Sequence, residues 1–442
     1  MIKLPEQVNK AICLLKSSGF EAYAVGGAVR DCLLGKVPFD WDITTSARPE
    51  ETEKVFCGER IIETGIKHGT VTVIIDGMPL EITTYRIDGD YTDHRHPQTV
   101  SFSDNLRDDL SRRDFTINTL CCNCDDKIVD AFGGKDDLKN KTIRCVGDPD
   151  TRFSEDALRI MRAVRFSAEL GFKIEKSTSD SILKNRQLLS DVSKERLQVE
   201  FTKLITGKYA TDVIRKYHAV IEVFIPELAP LVGCEQHTKY HKYDVFEHTL
   251  HAVDAVDFND RILRLTMFFH DFGKPDAKTT DENGTSHFKG HAVISEKKTR
   301  DILKRLKFDN NTINEVSKLV LIHDMKSPRD KIQAKKMMCS LGDEVYLNLI
   351  KIKRADNMAK ADPHAIDEKL KNMLSFYEEI KASNECYNLK SLAINGDDIK
   401  AFGIAEGKEI KSSLDFLLNG VIEGKCQNRK DVLLEYLKEN TK

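Results

Sequence analysis

The chain reads Tyr23-Ala-Val-Gly-Gly-Ala-Val-Arg30-Asp31 near its start and, shortly afterwards, Phe39-Asp40-Trp41-Asp42-Ile43-Thr44-Thr45. This pattern predicts an apolar strand that ends in two glycines, a short helical segment, and a second strand that carries two carboxylates. Because side chains alternate along a strand, Asp40 and Asp42 point to the same face. Oxygen ligands at this spacing suit Mg²⁺, and glycines allow backbone N–H groups to approach phosphates. A tight turn before an acidic strand would explain either motif alone, but the two together, with Arg30 between them, indicate a phosphoryl-transfer site.

Length and composition limit the class of protein. A chain of 442 residues predicts two to four domains, and with a net charge of −3 any nucleic-acid contact must use local basic faces. The 11 cysteines form no even framework, and the N-terminus has no signal-peptide features, which together indicate a reducing, cytoplasmic location. No segment approaches the ~20 apolar residues of a membrane span, so we expect no membrane partner.

Periodicity predicts an α+β fold. Residues 6–18 have helical spacing, and further helices are predicted over 29–34 and 48–56. Short strands rich in β-branched residues are predicted over 21–25, 42–45, 70–76, 80–85, 116–123 and 127–130. Beyond Ser154 strand signals nearly vanish, and residues 154–380 are typical of successive helices. A small sheet domain followed by an all-α body is therefore expected.

Two polar segments follow the predicted strands. Residues 86–100 mix charge, glycine and proline, which predicts a mobile surface loop, although a solvated connection would look the same. The next segment contains Arg113, whose permanently charged guanidinium can grip triphosphate oxygens.

The segment around residues 152–166 suggests base recognition. Asp156 and Arg159 have the i, i+3 spacing of one helix face, and Arg162 and Arg165 continue at three-residue steps. A surface ion-pair face would explain the pattern equally well. Alternatively, the carboxylate accepts from an exocyclic amine while the guanidinium donates to a ring acceptor, which fits cytosine and adenine but not uracil or guanine. Losing such a hydrogen bond costs about 2–3 kcal/mol of binding free energy, which corresponds to a roughly hundredfold discrimination between bases.

Five motifs occur in an order that resembles bacterial class II tRNA nucleotidyltransferases, the CCA-adding enzymes. They are Gly26-Gly27-x-x-Arg30-Asp31, Asp40-x-Asp42, Arg112-Arg113-Asp114-Phe-Thr-Ile-Asn118, Glu155-Asp156-x-x-Arg159 and Ser193-Lys-Glu195-Arg196-x-x-x-Glu200. The resemblance implies a polymerase β-like catalytic fold that adds C, C and A to tRNA from CTP and ATP. It also implies that Asp40 and Asp42 hold two Mg²⁺ ions.

The same resemblance implies roles for other residues. Gly27, Arg30 and Arg113 would contact the nucleotide, and Arg162 and Arg165 would line the pocket beside Asp156 and Arg159. Residues 86–100 correspond to the flexible loop that the family needs for the switch to ATP, which argues against a CC-adding enzyme. An A-adding enzyme and a poly(A) polymerase remain as alternatives.

A second constellation resembles the HD family of metal-dependent phosphohydrolases. Its members are His248, His270, Asp271, His291, His323 and Asp356. The resemblance implies that His248, His270, Asp271 and Asp356 bind one metal ion and that the other two histidines add a second. Imidazole and carboxylate ligands admit Mn²⁺, Fe²⁺, Ni²⁺ or Mg²⁺. A decayed site that only packs is the alternative.

The remaining predictions concern the domains of the chain, an alternative protein class and the oligomeric state. We predict a catalytic head at 1–150, a helical neck and body at 151–235, an HD domain at 236–385, and a tRNA-binding tail at 386–442. A uridylyltransferase that modifies protein also joins these two domain types, but the motif at 112–118 weighs against it. Monomer and homodimer both remain possible.

Overall fold

The computed structural model describes residues 2–63, 65, 66, 69–89, 100–404 and 407–440. The chain forms two compact units, residues 1–229 with 305–307 and residues 230–304 with 308–442. The first contains a mixed sheet with helices, and the second is mainly helical. The predicted α+β class is confirmed, whereas the division into four domains stays a prediction.

A seven-stranded sheet organises the first unit. Its strand order is β3-β4-β5-β2-β1-β8-β9, and every neighbouring pair is antiparallel except β2 and β5. The strands of this unit are β1 Ala22–Val25, β2 Asp42–Thr45, β3 Arg60–Ile62, β4 Thr70–Ile75, β5 Met78–Thr84, β6 Arg86–Asp88, β7 Val100–Phe102, β8 Cys121–Cys122, β9 Ile128–Val129, β10 Thr142–Ile143 and β11 Lys173–Ile174. Central β1 and β2 are neighbours, so the glycine motif that follows β1 and the aspartate motif that leads into β2 come together at one edge of the sheet.

One strand prediction was wrong. Residues 116–123 were expected to form a strand, but Thr116–Asn118 is a 3₁₀ helix and only Cys121–Cys122 is extended. The Asp114 carboxylate accepts hydrogen bonds from the Phe115 backbone N–H and from the Asn118 side chain. These local bonds favour a turn over the extended form that the β-branched residues predict.

In the first unit, the early helices pack on the sheet, and the later helices follow the sheet in the sequence. In α1, Val8, Ile12 and Leu15 are buried at helical spacing, as the periodicity predicts. The helices are α1 Glu6–Ser17, α2 Gly27–Leu33, α3 Pro49–Val55, α4 Leu106–Ser111, α5 Gly134–Lys139, α6 Pro149–Glu155, α7 Leu158–Leu170, α8 Lys176–Asn185, α9 Lys194–Ile205 and α10 Ala210–Ile221.

The second unit is built from helices with two very short strands. Aspartates begin several of these helices; Asp244, Asp260 and Asp309 each accept a hydrogen bond from a first-turn backbone N–H. The elements are α11 Val245–Asp254, α12 Arg261–Phe269, α13 Lys274–Ala277, β12 Thr279–Thr280, β13 Ser286–His287, α14 His291–Arg305, α15 Asn310–Ile322, α16 Lys331–Leu341, α17 Asp343–Met358, α18 Asp367–Ala382, α19 Gly396–Ala401, α20 Lys408–Ile422 and α21 Lys430–Asn440.

Two further sequence predictions concern a mobile loop at 86–100 and the absence of a membrane-spanning segment. Residues 90–99 of the predicted loop at 86–100 lie outside the described residues, while β6 and β7 pair on either side of them. Among the helices of the described chain, none has the length and apolar character that crossing a membrane requires.

Candidate active site and candidate metal centre

The first candidate site begins where β1 ends and β2 starts. Antiparallel pairing places Asp42 opposite Val25, the last residue of β1. Gly26 follows with a φ of +82°, in the left-handed region that favours glycine. A Cβ atom at Gly26 would lie 3.3 Å from Arg113 Nη1 and 3.8 Å from Asp42 Oδ2. The glycine therefore allows a carboxylate and a guanidinium to approach the backbone at this turn.

Carboxylates gather at this edge of the sheet. Asp40 and Asp42 are exposed, whereas Trp41 between them is only 6% exposed, in agreement with the predicted alternation. Parallel pairing of β2 with β5 puts Glu81 in register with Asp42. Desolvation raises the pKa of the Asp42 carboxyl; nearby Glu81 and Asp40 raise it further, while Arg113 opposes them. Glu81 was not predicted from the sequence, although it is the one acidic residue of β5.

A buried aspartate holds two arginines beside these carboxylates. Asp109 is fully buried and accepts from Arg112 Nη2 at 2.6 Å, from Arg113 Nη2 at 3.3 Å and from Thr44 Oγ1 at 3.0 Å. Burial alone would raise the pKa of Asp109, but Arg113 and Arg112 outweigh it and hold that pKa below its usual value. Asp109 stays ionised and therefore orients Arg113, a role that the sequence pattern did not identify.

A second hydrogen-bonded chain joins two of the predicted arginines. Arg30 Nη1 donates to Asn118 Oδ1 at 2.8 Å, and Asn118 Nδ2 donates to Asp114 Oδ1 at 2.9 Å. Arg162 Nε donates to the other oxygen of Asp114 at 2.7 Å. Burial would raise the pKa of Asp114, but Arg162 and Asn118 lower it to about 2. The 3₁₀ turn at 116–118 thus connects α2 to α7 through side chains.

One aromatic ring supports three arginines of the cleft. The guanidinium carbons of Arg30, Arg162 and Arg165 lie 4.9, 5.3 and 3.8 Å from the centroid of the Phe166 ring. Such cation–π contacts hold guanidinium groups without neutralising them. Arg165 Nε also lies 2.8 Å from the buried Glu200 carboxylate. Arg30 and Arg162 are likewise paired with Asp31 and Asp114, so carboxylates and the Phe166 ring together fix the orientation of these guanidinium groups.

The predicted base-reading pair has a different geometry from the expected one. Asp156 is not on the same helix as Arg159, because it lies between α6 and α7 with an extended backbone. Arg196 Nη2 donates to Asp156 Oδ2 at 2.8 Å. Arg159 instead donates to Glu155 at 2.5 Å and to the backbone oxygen of Arg112 at 2.7 Å. The single helix face with a carboxylate above an arginine ladder was therefore a wrong prediction.

These residues nevertheless line a single cleft of ≈ 610 Å³. Its wall includes every residue predicted for nucleotidyl transfer, namely Gly27, Arg30, Asp40, Asp42, Arg113, Asp156, Arg159, Arg162 and Arg165. Carboxylates and guanidinium groups both line its wall. A cleft with this charge arrangement can hold a polyphosphate together with divalent cations.

The second candidate site lies in the helical unit. His248 belongs to α11 and Asp356 to α17, while His270 and Asp271 directly follow α12. His291 begins α14, and His323 directly follows α15. Two overlapping groups, His248, His270 and Asp271 on one side and Asp271, His291 and His323 on the other, have ligand atoms within 4.8 Å of one another. Five of the six predicted residues thus converge around Asp271, and Asp356 joins them through its contact with His248.

The four imidazoles are oriented by backbone carbonyls. The Nδ1 atoms of His270, His291 and His323 each lie within 2.8 Å of the carbonyl oxygen three residues earlier. Nδ1 of His248 lies 3.2 Å from the carbonyl oxygen of Ala359. With the proton on Nδ1, each Nε2 keeps its lone pair for a ligand, which is the usual outer contact of a metal-binding histidine.

The Nε2 atoms point toward the two carboxylates. His248 Nε2 lies 3.0 Å from Asp356 Oδ1, and His270 Nε2 lies 3.1 Å from Asp271 Oδ2. On the other side, His291 Nε2 lies 3.4 Å from Asp271 Oδ1 and 3.1 Å from His323 Nε2. Burial lowers the pKa of His248 and brings that of His323 to about 3, so both rings are neutral near pH 7, as metal binding requires.

Two lysines complete this cluster. Lys274 Nζ lies 2.7 Å from Asp271 Oδ2, and Lys360 Nζ donates to Asp356 Oδ2 at 2.6 Å. Asp271 is 1% exposed, and within the described residues neither of its oxygens has a hydrogen bond of good geometry. Apart from its ion pair with Lys274, this buried carboxylate faces imidazole nitrogens, which are the surroundings expected of a cation ligand. The lysines were missed, although each follows its aspartate by about one helical turn.

Comparisons with known proteins cover both units. Residues 22–144 match the model of the poly A polymerase head domain, and residues 171–231 match that of a probable RNA and SrmB-binding site of polymerase A. Residues 279–437 match a putative tRNA nucleotidyltransferase domain 2.

Solved structures and curated relatives agree with these matches. The fold resembles the Bacillus stearothermophilus CCA-adding enzyme in complex with CTP, with a TM-score of 0.67 and 31% identity over 98% of this chain and 97% of that one. The Thermotoga maritima CCA-adding enzyme complexed with tRNA shares the fold, with a TM-score of 0.63 and 21% identity over 98% and 95% of the two chains. The Lactobacillus helveticus CCA-adding enzyme is 33% identical over 99% of this chain and 98% of the relative. A relative at this identity over nearly its whole length shows that the chain belongs to the family of CCA-adding enzymes.

Proposed function

We propose that this protein adds C, C and A to the 3′ end of tRNA, using CTP and ATP and no nucleic-acid template. The observation that carries the proposal is the single cleft that combines Asp40 and Asp42 with a wall of arginines. Membership of the CCA-adding family supports the reaction and both nucleotides. A divalent metal belongs to this chemistry, and the exposed carboxylates offer the oxygen ligands that Mg²⁺ prefers.

The carboxylate edge fits two Mg²⁺ ions. Asp40 and Asp42 would hold them, and when bound they supply the positive charge that activates the terminal ribose hydroxyl and stabilises the departing pyrophosphate. Arg113, oriented by Asp109, is placed to grip the phosphates, and Arg30 is kept rigid by its bond to Asn118. The protein thus contributes positioning and fixed charge, the main sources of rate in nucleotidyl transfer.

Base selection is assigned to Asp156 and Arg159. Arg196 orients the Asp156 carboxylate, and each carboxylate oxygen can accept more than one hydrogen bond. Asp156 can therefore still accept from the exocyclic amine of cytosine or adenine. The bond from Arg159 to Glu155 fixes its guanidinium at the cleft wall. The two side chains would read one base edge from neighbouring segments rather than from one helix.

Arg159→Ala is expected to relax nucleotide selection more than it slows addition. Preference for CTP and ATP over UTP and GTP should fall by roughly a hundredfold, because one charged hydrogen bond to the base is lost. Single-nucleotide incorporation with each of the four nucleotides measures this. Arg152→Ala is the matched control, since Arg152 also pairs with Glu155 but does not line the cleft. An unchanged preference in Arg159→Ala would remove the base-reading assignment.

The length of the product tests the proposed reaction directly. Purified protein is incubated with tRNA ending at the discriminator base or at CC, with CTP and ATP supplied separately and together. We expect two additions from CTP alone, one further addition when ATP is present, and then termination. Addition of A only to tRNA ending in CC would indicate an A-adding enzyme, and continued A addition would indicate a poly(A) polymerase.

For the second unit we infer a metal-dependent phosphohydrolase. The observation that supports it is the convergence of four Nε2 atoms on two carboxylates, the buried Asp271 and the partly buried Asp356. These ligands would hold Mn²⁺, Fe²⁺, Ni²⁺ or Mg²⁺, and such an ion makes water nucleophilic near neutral pH. Lys274 and Lys360 stand beside the carboxylates, where an ammonium can contact a phosphate oxygen. Phosphoester hydrolysis by protein loaded with Mn²⁺ or Ni²⁺, for example of a 2′,3′-cyclic phosphate, tests this function.

A further inference from the structure

An exposed aromatic residue stands directly beside the carboxylates of the cleft. The side chain of Phe39 is 99% exposed and that of Val37, two residues earlier, is 95% exposed. Large apolar side chains of a folded protein are normally covered at least in part. In this segment the ring of Phe39 faces solvent with its full surface, immediately before Asp40.

The ring of Phe39 lies beside the residues proposed for nucleotidyl transfer. Phe39 and Pro38 line the same cleft as Asp40 and Arg113. Consecutive Cα atoms are about 3.8 Å apart, so a nucleoside whose ribose lies at Asp40 brings its base within reach of the neighbouring ring. Pro38 restricts the backbone on one side of Phe39, and buried Trp41 anchors the segment on the other. The backbone that carries the ring is therefore restrained beside the cleft.

The chemistry of the RNA acceptor suggests what this ring binds. In the proposed reaction the last base of the acceptor is the discriminator base for the first addition and C for the second and third. Hydrogen bonds to a base edge would fit some of these acceptors and reject others. Stacking on an aromatic ring accepts every base, because every base has a π-face.

We propose that Phe39 stacks on the terminal base of the RNA acceptor and so positions its 3′-hydroxyl at Asp40. The inference rests on the proposed nucleotidyl transfer and assigns the acceptor subsite within the same cleft. The incoming nucleotide is a different occupant, because its base is selected by hydrogen bonds from Asp156 and Arg159, which a phenyl ring does not supply.

Steady-state kinetics test this positioning role. Phe39→Ala should raise the KM for tRNA by about tenfold, in the range of one lost base–aromatic stack, and leave the KM for CTP within about twofold. Phe39→Tyr should restore the KM for tRNA, since it keeps the ring. Val37→Ala is the control, because it shortens an exposed apolar side chain of the same segment without removing a ring. A change in the KM for CTP instead, or no change in either, would overturn the proposal.

A fluorescence measurement separates this inference from the catalytic assignment. Trp41 is the only tryptophan of the chain and is buried, so Phe39→Trp adds one exposed reporter. In an Asp42→Ala background without nucleotide, tRNA ending in CC should quench the added emission relative to the same background with Phe39. If tRNA quenches the emission and the Asp42→Ala variant still adds nucleotide in a separate assay, the stacking proposal stands and the carboxylate assignment fails. If tRNA binds without quenching, the stacking is wrong whatever Asp42 does.

Discussion

Asp40→Ala and Asp42→Ala are each expected to abolish nucleotide addition, with a loss of at least about 10³-fold in kcat, because each removes a ligand of the proposed Mg²⁺ ions. Binding of tRNA should persist in both variants. Both side chains are exposed, so their replacement leaves the core of the sheet unchanged. Asp42→Asn separates charge from shape, since it keeps the size of the side chain but loses its negative charge. Single-turnover incorporation of CTP, beside a filter-binding assay for tRNA, measures the two effects.

The control for this prediction is another exposed acidic residue of the same unit. Glu50 lies on α3 and does not line the cleft, so Glu50→Ala should incorporate CTP at the rate of the unchanged protein. Retained turnover in Asp40→Ala or Asp42→Ala would contradict the two-metal assignment. Loss of turnover together with loss of tRNA binding would show that the carboxylates act on RNA docking instead. The raised pKa of Asp42 adds a pH dependence to metal binding: in the metal-free protein its carboxylate is protonated at a higher pH than that of an ordinary aspartate, so the affinity for Mg²⁺ should fall as the pH falls.

The second large effect concerns the helical unit. His270→Ala combined with Asp271→Ala is expected to eliminate phosphoester hydrolysis in the presence of Mn²⁺ or Ni²⁺ while nucleotide addition continues. Asp271 stands at the centre of both ligand groups, and His270 belongs to one of them. The measurement is cleavage of a 2′,3′-cyclic phosphate, with CTP incorporation assayed on the same preparation.

Because both residues are buried, the double variant could lose the fold of its unit instead of its metal. Asp356→Asn keeps the size of the side chain and should also abolish hydrolysis, with an unchanged thermal unfolding profile. His364→Ala is the matched control, since His364 is exposed and pairs with Asp367 outside the cluster. If the unchanged protein binds neither Mn²⁺ nor Ni²⁺ by calorimetry and cleaves no phosphoester, the cluster is a packed remnant and the hydrolase proposal is wrong.

Much of the first site follows from local sequence. Alternation into β2 predicted that Asp40, which precedes the strand, and Asp42, which begins it, share a face, and both are exposed on either side of buried Trp41. The two glycines marked the close approach that Gly26 makes to Arg113. The Thr116–Asn118 segment shows the limit of the same reasoning. Its β-branched residues favour a strand, but hydrogen bonds to the Asp114 side chain hold a turn. Side-chain bonds of this kind compete with backbone pairing and leave no periodic signal.

For this protein the sequence alone determined the identities and the order of the reactive groups, because short motifs such as Asp40-x-Asp42 and His270-Asp271 carry their geometry within a few bonds. Only the tertiary structure decided the partners of those groups. Asp156 pairs with Arg196 across 40 residues, Arg30 with Asn118 across 88 and Arg162 with Asp114 across 48. These contacts depend on packing between distant segments, which has no period along the chain.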